Sequence, residues 1–580
     1  MSKPPIRIGN AQAFWGDRGD AAAELLAQVP DLDYLTLDYL AEVSLSILAG
    51  QRAKDPAAGY PRDFLEVVRS LAPYWAGGGK CKLVANAGGL DPAACARAVA
   101  ETLAKAGCPS LKIAAVAGDD VLPLLAAAAG DAFTNLDTGA KLDSVRERLV
   151  TANAYIGASP VAEALNAGAQ IVVTGRVADP SMVVGVCLHH FGWNEDDWNR
   201  LAGATVAGHL IECGTQATGG IATDWLELPD PAHLSFPIVE VDSDGGCIVA
   251  KAPGTGGEVS RRTVCEQLVY EIGDPGRYLS PDVEVSFLGL TVEELGADRV
   301  RVTGAIGRPR PHTLKVSATY RDGFRAAGTL VIVGRNAAAK ARRCGEIVLG
   351  RLLEAGVVLR DAVVETLGAG MCVPTANPNL DPESALETVL RIAVEAEAKA
   401  PCERFAKELM PLITAGPQGT TGYAEGRPKV HEITRYWPCL VDRSRVTPTV
   451  EHFTSAAPSA AAAQFAARPQ RPFAPAPVPP RANHGTLGDL AWARSGDKGS
   501  GANIGILARR PEDYLRLAAF LTADRVAAYF APAGVETVTR YEAPNLGGLN
   551  FVLKGILKRS LRTDAQGKAL GQALLEMQLE

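Results

Sequence analysis

The chain has 580 residues, of which 47% are hydrophobic and 21% charged, and its formal net charge at pH 7 is -7. That length exceeds what one core usually supports and predicts two or three domains. The acidic balance excludes the basic footprint of a nucleic-acid binder, and apolar runs such as "LLAAAAG" are far too short to span a bilayer.

The N-terminus, "MSKPPIRIGNAQAFWGD", has no apolar signal-peptide core, which predicts a cytoplasmic protein. Five apolar runs follow that read as buried strands: "IRIGNA" (6–11), "LDYLTLDYL" (32–40), "CKLVANAG" (81–88), "LKIAAVAG" (111–118) and "IVVTG" (171–175). Between them lie helix-like stretches such as "DPAACARAVAETLAKAG" and "SPVAEALNAGA". Continuous apolar strands alternating with helices predict a parallel β/α lobe, residues 1–229, with its chemistry at the carboxyl ends of the strands.

From about residue 230 the texture changes, which predicts a mixed α+β lobe over 230–456. "PIVEVDSDGGCIVAKAP" reads as two strands around a glycine turn, and "TLKVSATYRDGFRAAGTLVIVG" as a hairpin turning at Asp322-Gly323. A helix, "NAAAKARRCGEIVLGRLLEAG", is expected next, and a second helix from about Pro382. The Ala/Pro-rich stretch 457–483 reads as an extended linker. Residues 484–580 read as a separate small α+β domain. A small domain on a long tether suits docking within one chain or exchange between chains, and predicts a homo-oligomer.

Polar residues recur just past the proposed strands: Asn10, Asp17 and Arg18; Asp38 and Glu42; Asn86; Asp119 and Asp120; Arg176 and Asp179. In a parallel sheet these groups meet at one edge, although Asp and Asn also serve as turn and cap residues. Asp38 and Glu42, four apart, could share a proton or hold a divalent cation, or be a helix cap and a solvated side chain. "ECGTQATGG" (212–220) surrounds Cys213 with Thr215, Gln216 and Thr218; it reads as a nucleophilic thiol, a substrate-lining loop, or packing. Arg308, Arg310 and His312 sit between prolines and read as an anion grip or a solvated turn.

None of the eleven cysteines forms a CxxC pair, so they predict neither a disulfide framework nor a zinc site. In "ARSGDKGSGANIG" (493–505) Lys498 precedes a glycine and the loop returns into a strand, which excludes a nucleotide-binding P-loop. Arg494, Ser495, Lys498 and Asn503 read either as an anion cradle or as a hairpin that docks on the large domain.

"IGNAQAFWGDR", "LDYLTLDYLAEV", "ANAGGLDP", "VTGRVADPS" and "ECGTQATGG" together resemble the acyclic terpene utilisation family of the AtuA type. "ARSGDKGSGANIGILAR" resembles the small ferredoxin-like domain that follows in longer members. The resemblance covers most of residues 5–455 and then 484–560. It implies breakdown of branched isoprenoid acids such as citronellate and geranylate, in pathways that run on coenzyme A thioesters. A hydro-lyase or carbon–carbon lyase acting on a branched acyl-CoA thioester or hydroxy acid is the activity it implies; a non-catalytic assembly or acyl-thioester-binding protein is the alternative. It names no cofactor. In the enzymatic reading Asp38, Glu42, Arg176 and Cys213 are the catalytic candidates. Asn10, Asp17, Arg18, Asn86, Asp179, Thr215, Gln216, Thr218, Arg494, Ser495, Lys498 and Asn503 are the substrate-binding candidates.

Overall fold

Strands β1 (Ile6–Asn10), β2 (Tyr34–Leu37), β3 (Lys82–Ala85), β4 (Lys112–Ala117), β5 (Leu149–Ala154) and β6 (Ile171–Thr174) open the chain. In the computed structural model β1, β2, β3, β6 and β4 lie side by side, all parallel. Their side chains are almost all buried, because helices cover both faces of the sheet. Local chemistry starts these helices: Asp91 accepts a hydrogen bond from the Ala94 amide (3.0 Å) ahead of Pro92, and the helix Pro92–Lys105 follows. The structure describes all residues except 1–2, 42–43, 109, 129, 372–380, 425, 458–462, 466–476, 478–483, 559–560, 564–566 and 580. Glu42 and most of the expected linker therefore lie outside the described residues.

The sheet does not stop at residue 229. β7 (Pro237–Val241) pairs antiparallel with β1 and continues into β8 (Cys247–Lys251). The short strands β9 (Tyr278–Leu279) and β10 (Glu284–Ser286) precede β11 (Thr291–Gly296) and β12 (Arg299–Thr303), which extend the same edge, and β13 (Ile306–Arg308) follows. Next come β14 (Thr313–Val333), β15 (Asp361–Leu367), β16 (Glu387–Ala396), β17 (Thr420–Thr421), β18 (Val430–Asp442) and β19 (Thr449–Thr454). β19 closes the opposite edge against β4, giving a ten-stranded sheet. A second sheet is built on β14, which pairs with β5, β16, β17 and β18.

Two local expectations change. Asp322-Gly323 is not a hairpin turn. The segment is one 21-residue strand, with a bulge against β18 between Arg321 and Phe324 and Gly323 at φ +86. An Asp-Gly pair suits a bulge as well as a turn, since both need a positive φ. Here three cations hold the aspartate in place: Asp322 accepts hydrogen bonds from Arg148 (2.7 Å), Arg360 (2.9 Å) and Arg435. Burial pushes the Asp322 carboxyl up, but Arg435 and Arg148 outweigh it and hold its pKa low. Asp322→Ala is expected to cost about 2 kcal/mol, the scale of hydrogen bonds to charged groups, read as a fall in Tm. The second change is at Pro382, where a single turn, Pro382–Ser384, leads into β16; the helix comes later, at Lys399–Glu408. β16 is paired on both edges, with β14 and β15, and its alternate apolar residues pack into a core shared with the helix Ala337–Glu354; that pairing sets its conformation.

The C-terminal domain has its own core, built on Leu487, Ile504, Phe551 and Leu574 among others. Strands β20 (Ala491–Lys498), β21 (Gly501–Ala508), β22 (Thr537–Ala543) and β23 (Gly548–Lys554) form an antiparallel sheet in the order β20-β21-β23-β22. Helices Tyr514–Phe520 and Ala523–Phe530 connect β21 to β22. No helix among the described residues is long and apolar enough to cross a membrane.

Candidate functional site

A cavity of about 620 Å³ opens beside the carboxyl ends of β2 and β6. Asp38 follows β2, Arg176 and Asp179 follow β6, and Tyr155 follows β5; all four line it. The end of the helix Trp198–Glu212 brings His209 and Glu212, and Cys213 and Gln216 come just after it. Tyr270, Glu271, Tyr278 and Lys315 supply further polar wall, and the C-terminal domain contributes Asp497 and Lys568.

Asp38 is buried, and its Oδ1 accepts from Asn86 Nδ2 (2.6 Å) and from the Leu40 amide (3.2 Å). Burial, with Asp179 close by, pushes its pKa well above the ordinary carboxylate value, against the pull of Arg176 and the Asn86 hydrogen bond. Arg176 is 2% exposed. Its Nη1 donates to Asp179 Oδ1 (2.7 Å) and to the Leu40 carbonyl, and its guanidinium lies over the Tyr155 ring, 4.1 Å from the centroid. Burial works against its charge, but Asp179, Tyr155 and Asp38 outweigh that and hold the guanidinium firmly protonated.

His209 lies between two acceptors. Its Nε2 is 3.0 Å from the Gln267 carbonyl, which can only accept, so that nitrogen carries a proton. Its Nδ1 is 3.0 Å from Glu212 Oε1. The two side chains thus meet through one contact at the cavity wall. Glu212 Oε2 is buried and meets no protein donor among the described residues, an unsatisfied acceptor.

Residues 6–452 match the model of the acyclic terpene utilisation family protein AtuA, and residues 485–580 match that of the AtuA ferredoxin-like domain. The chain belongs to the acyclic terpene utilisation family. Membership ties it to the use of acyclic terpenes, and the C-terminal domain is the family's ferredoxin-like module. No curated protein and no solved structure matches the chain.

In this family member the sequence candidates divide by position. Asp38, Arg176, Asp179, Cys213 and Gln216 line the cavity. Asn10 and Asn86 stand behind it: Asn10 Nδ2 donates to the Ile211 (2.5 Å) and Glu212 (3.1 Å) carbonyls, which fixes the end of the helix that carries Glu212. Thr218 Oγ1 has the Ser235 carbonyl at 2.6 Å and the Thr215 carbonyl at 2.9 Å as acceptors for its one proton, and shapes the loop behind Gln216. Asp17 accepts from the Ala13 and Arg18 amides, and Arg18 pairs with Asp20 and Glu24, away from the lining. Ser495 accepts from the Gly571 amide (2.8 Å) inside its own domain. Arg494 Nη2 donates to Gln216 Oε1 (2.6 Å), and Asn503 reaches the Val269 carbonyl (2.9 Å). Lys498 ends β20; the structure does not describe its side chain.

Cys213 is partly open to the cavity, but enclosure and then Glu212 and Glu271 push its thiol well above the ordinary value. An activated nucleophile needs the opposite, cations or a helix N-terminus that lower the pKa. Asp119 is also inside the fold: it accepts from Asn153 (2.8 Å) and from the Arg176 amide (2.9 Å), and so fixes the turn that presents Arg176. His209, Glu212, Tyr155, Tyr270, Glu271, Tyr278, Lys315, Asp497 and Lys568 also line the cavity and are not among the sequence candidates, although Glu212 and Asp497 lie inside the motifs quoted above. The first pair left a further signal, an i,i+3 spacing that puts both side chains on one helix face.

Proposed function

We propose that this protein is an acid–base enzyme of acyclic terpene breakdown, a hydro-lyase or carbon–carbon lyase acting on a branched acyl thioester or hydroxy acid. The observation that carries the reading is a buried carboxyl, Asp38, whose pKa burial pushes well above the ordinary carboxylate value, beside a buried guanidinium, Arg176, in one cavity. Perturbed titratable groups converging on a cleft of this size are the physical mark of a reactive site.

In the hydration direction Arg176 stabilises negative charge on the thioester oxygen as the double-bond electrons move onto it. Water adds at C3 and gives its proton to the Glu212–His209 pair. Asp38 delivers its own proton to Cα as the enolate collapses. Dehydration reverses each transfer. A retro-aldol cleavage uses the same groups: a base on the 3-hydroxyl, and a stabilised enolate that Asp38 protonates. Cys213 has no covalent role in this scheme.

The test is a panel of branched enoyl and 3-hydroxyacyl CoA thioesters incubated with the enzyme and followed by mass spectrometry. Gain or loss of one water, or cleavage between C2 and C3, is the expected result. A protein that binds members of the panel and changes none of them is the non-catalytic carrier instead.

A further inference from the structure

Glu271 is one of six non-glycine residues with positive φ (56) among the described residues, and it lines the cavity. An L-residue in that region is strained and persists only where its surroundings enforce the conformation; such residues cluster at functional sites. Here the enforcing groups come from the other domain. Asn503 on β21 donates to the Val269 carbonyl (2.9 Å) and to Asn550 Oδ1 (3.0 Å). Asn550 on β23 donates to the Ile272 (2.7 Å) and Gly273 (2.5 Å) carbonyls. Both asparagines are at most 2% exposed. Three carbonyls that flank Tyr270 and Glu271 are thus fixed by two side chains more than 200 residues away.

Two glycines let the sheet approach that closely. A Cβ at Gly505 would lie 2.4 Å from Val269 Cγ2, and one at Gly496 would lie 2.4 Å from Glu271 Cγ. Arg494 adds a third grip. It is buried, lies 4.8 Å over the Tyr270 ring and holds Gln216, another lining residue.

We propose that Glu271 is a specificity-determining residue that accepts a hydrogen bond from a hydroxyl of the substrate, and that Asn503 and Asn550 are positioning residues that aim it. The assignment of a hydroxyl rests on the acid–base reading above; the aiming of Glu271 does not. A fixed backbone confines the Glu271 carboxylate to the few places its side-chain rotamers allow at the cavity wall, where it can meet a donor. A 3-hydroxyacyl thioester supplies that donor, and its deoxy analogue does not.

The test compares the affinity of the full chain for 3-hydroxy-3-methylbutyryl-CoA and 3-methylbutyryl-CoA by calorimetry. Wild type should favour the hydroxy compound roughly 10- to 100-fold, the scale of one hydrogen bond to a charged group. Glu271→Gly, which suits the left-handed backbone, should reduce the preference to about 2-fold or less. Asn550→Ala should do the same through loss of aim, and the double variant should fall no further, because both changes act through one group. The proposal is overturned if wild type shows no preference, if Glu271→Gly keeps it, or if Asn550→Ala leaves it at the wild-type level. Because the readout is affinity, a clear preference without turnover would sink the acid–base reading and leave this one standing.

Discussion

Asp38→Asn is expected to lower kcat about 10²- to 10⁴-fold, the range of a lost general acid, while Tm stays level or rises. Asparagine keeps the acceptor that Asn86 and the Leu40 amide need; what it loses is the transferable proton. The stability gain follows from linkage. The folded-state pKa of Asp38 lies above the unfolded value, so the folded protein binds this proton more tightly. Ionising the group therefore costs stability, and stability should decline as pH rises from the ordinary carboxylate range through the raised pKa. Over the same interval hydration should slow, because the acid form is consumed. Asp38→Asn should flatten the first dependence and remove the second, as thermal unfolding and initial rates across pH would register. A variant as active as wild type would rule Asp38 out as the acid.

Removing the guanidinium should have the largest effect on folding. Arg176→Met removes the cation that pairs with Asp179 at 2.7 Å and that pulls the raised Asp38 pKa down. Asp179 keeps 29% of its side-chain surface exposed, so the loss should fall short of the about 3–5 kcal/mol of breaking a fully buried pair and still be a sizeable part of a normal stability margin. Arg176→Lys keeps the charge but not the planar fork that reaches Asp179 and the Leu40 carbonyl and stacks on Tyr155; it should fall in between. Adding Asp179→Asn to Arg176→Met should restore part of the loss, since it removes the negative charge that lies close to Asp38. A Tm for Arg176→Met within a degree or two of wild type would contradict this account.

The parallel sheet and one wall of the cavity can be read in the sequence because apolar runs ending in a charge place that charge at a known edge. Asp38 and Arg176 stand at that edge and line the cavity. Asn10 and Asn86 obey the same rule yet spend their amides on the backbone and on Asp38, and sequence does not distinguish an amide that clamps the fold from one that meets a ligand. The other wall is tertiary. Tyr270 and Glu271 follow the helix Arg261–Leu268, in a stretch without motif, and their orientation is set by Asn503 and Asn550 from a later domain. In the loop region of β20, Arg494 donates to Gln216, a lining residue, and is not itself part of the lining. At Asp322-Gly323 the local signal was sound, but three arginines brought from β5's approach, from β15's approach and from β18 determined whether it made a turn or a bulge.

The most direct test of acid–base chemistry at this cavity is hydrogen exchange at Cα. The enzyme would be incubated in D₂O with 3-hydroxy-3-methylbutyryl-CoA and the thioester followed by mass spectrometry. The account predicts enzyme-dependent deuterium incorporation at Cα by wild type and its loss in Asp38→Asn, whether or not net product accumulates. Incorporation that is equal in the two proteins would contradict the role given to Asp38, and no incorporation by wild type would contradict proton transfer at Cα altogether.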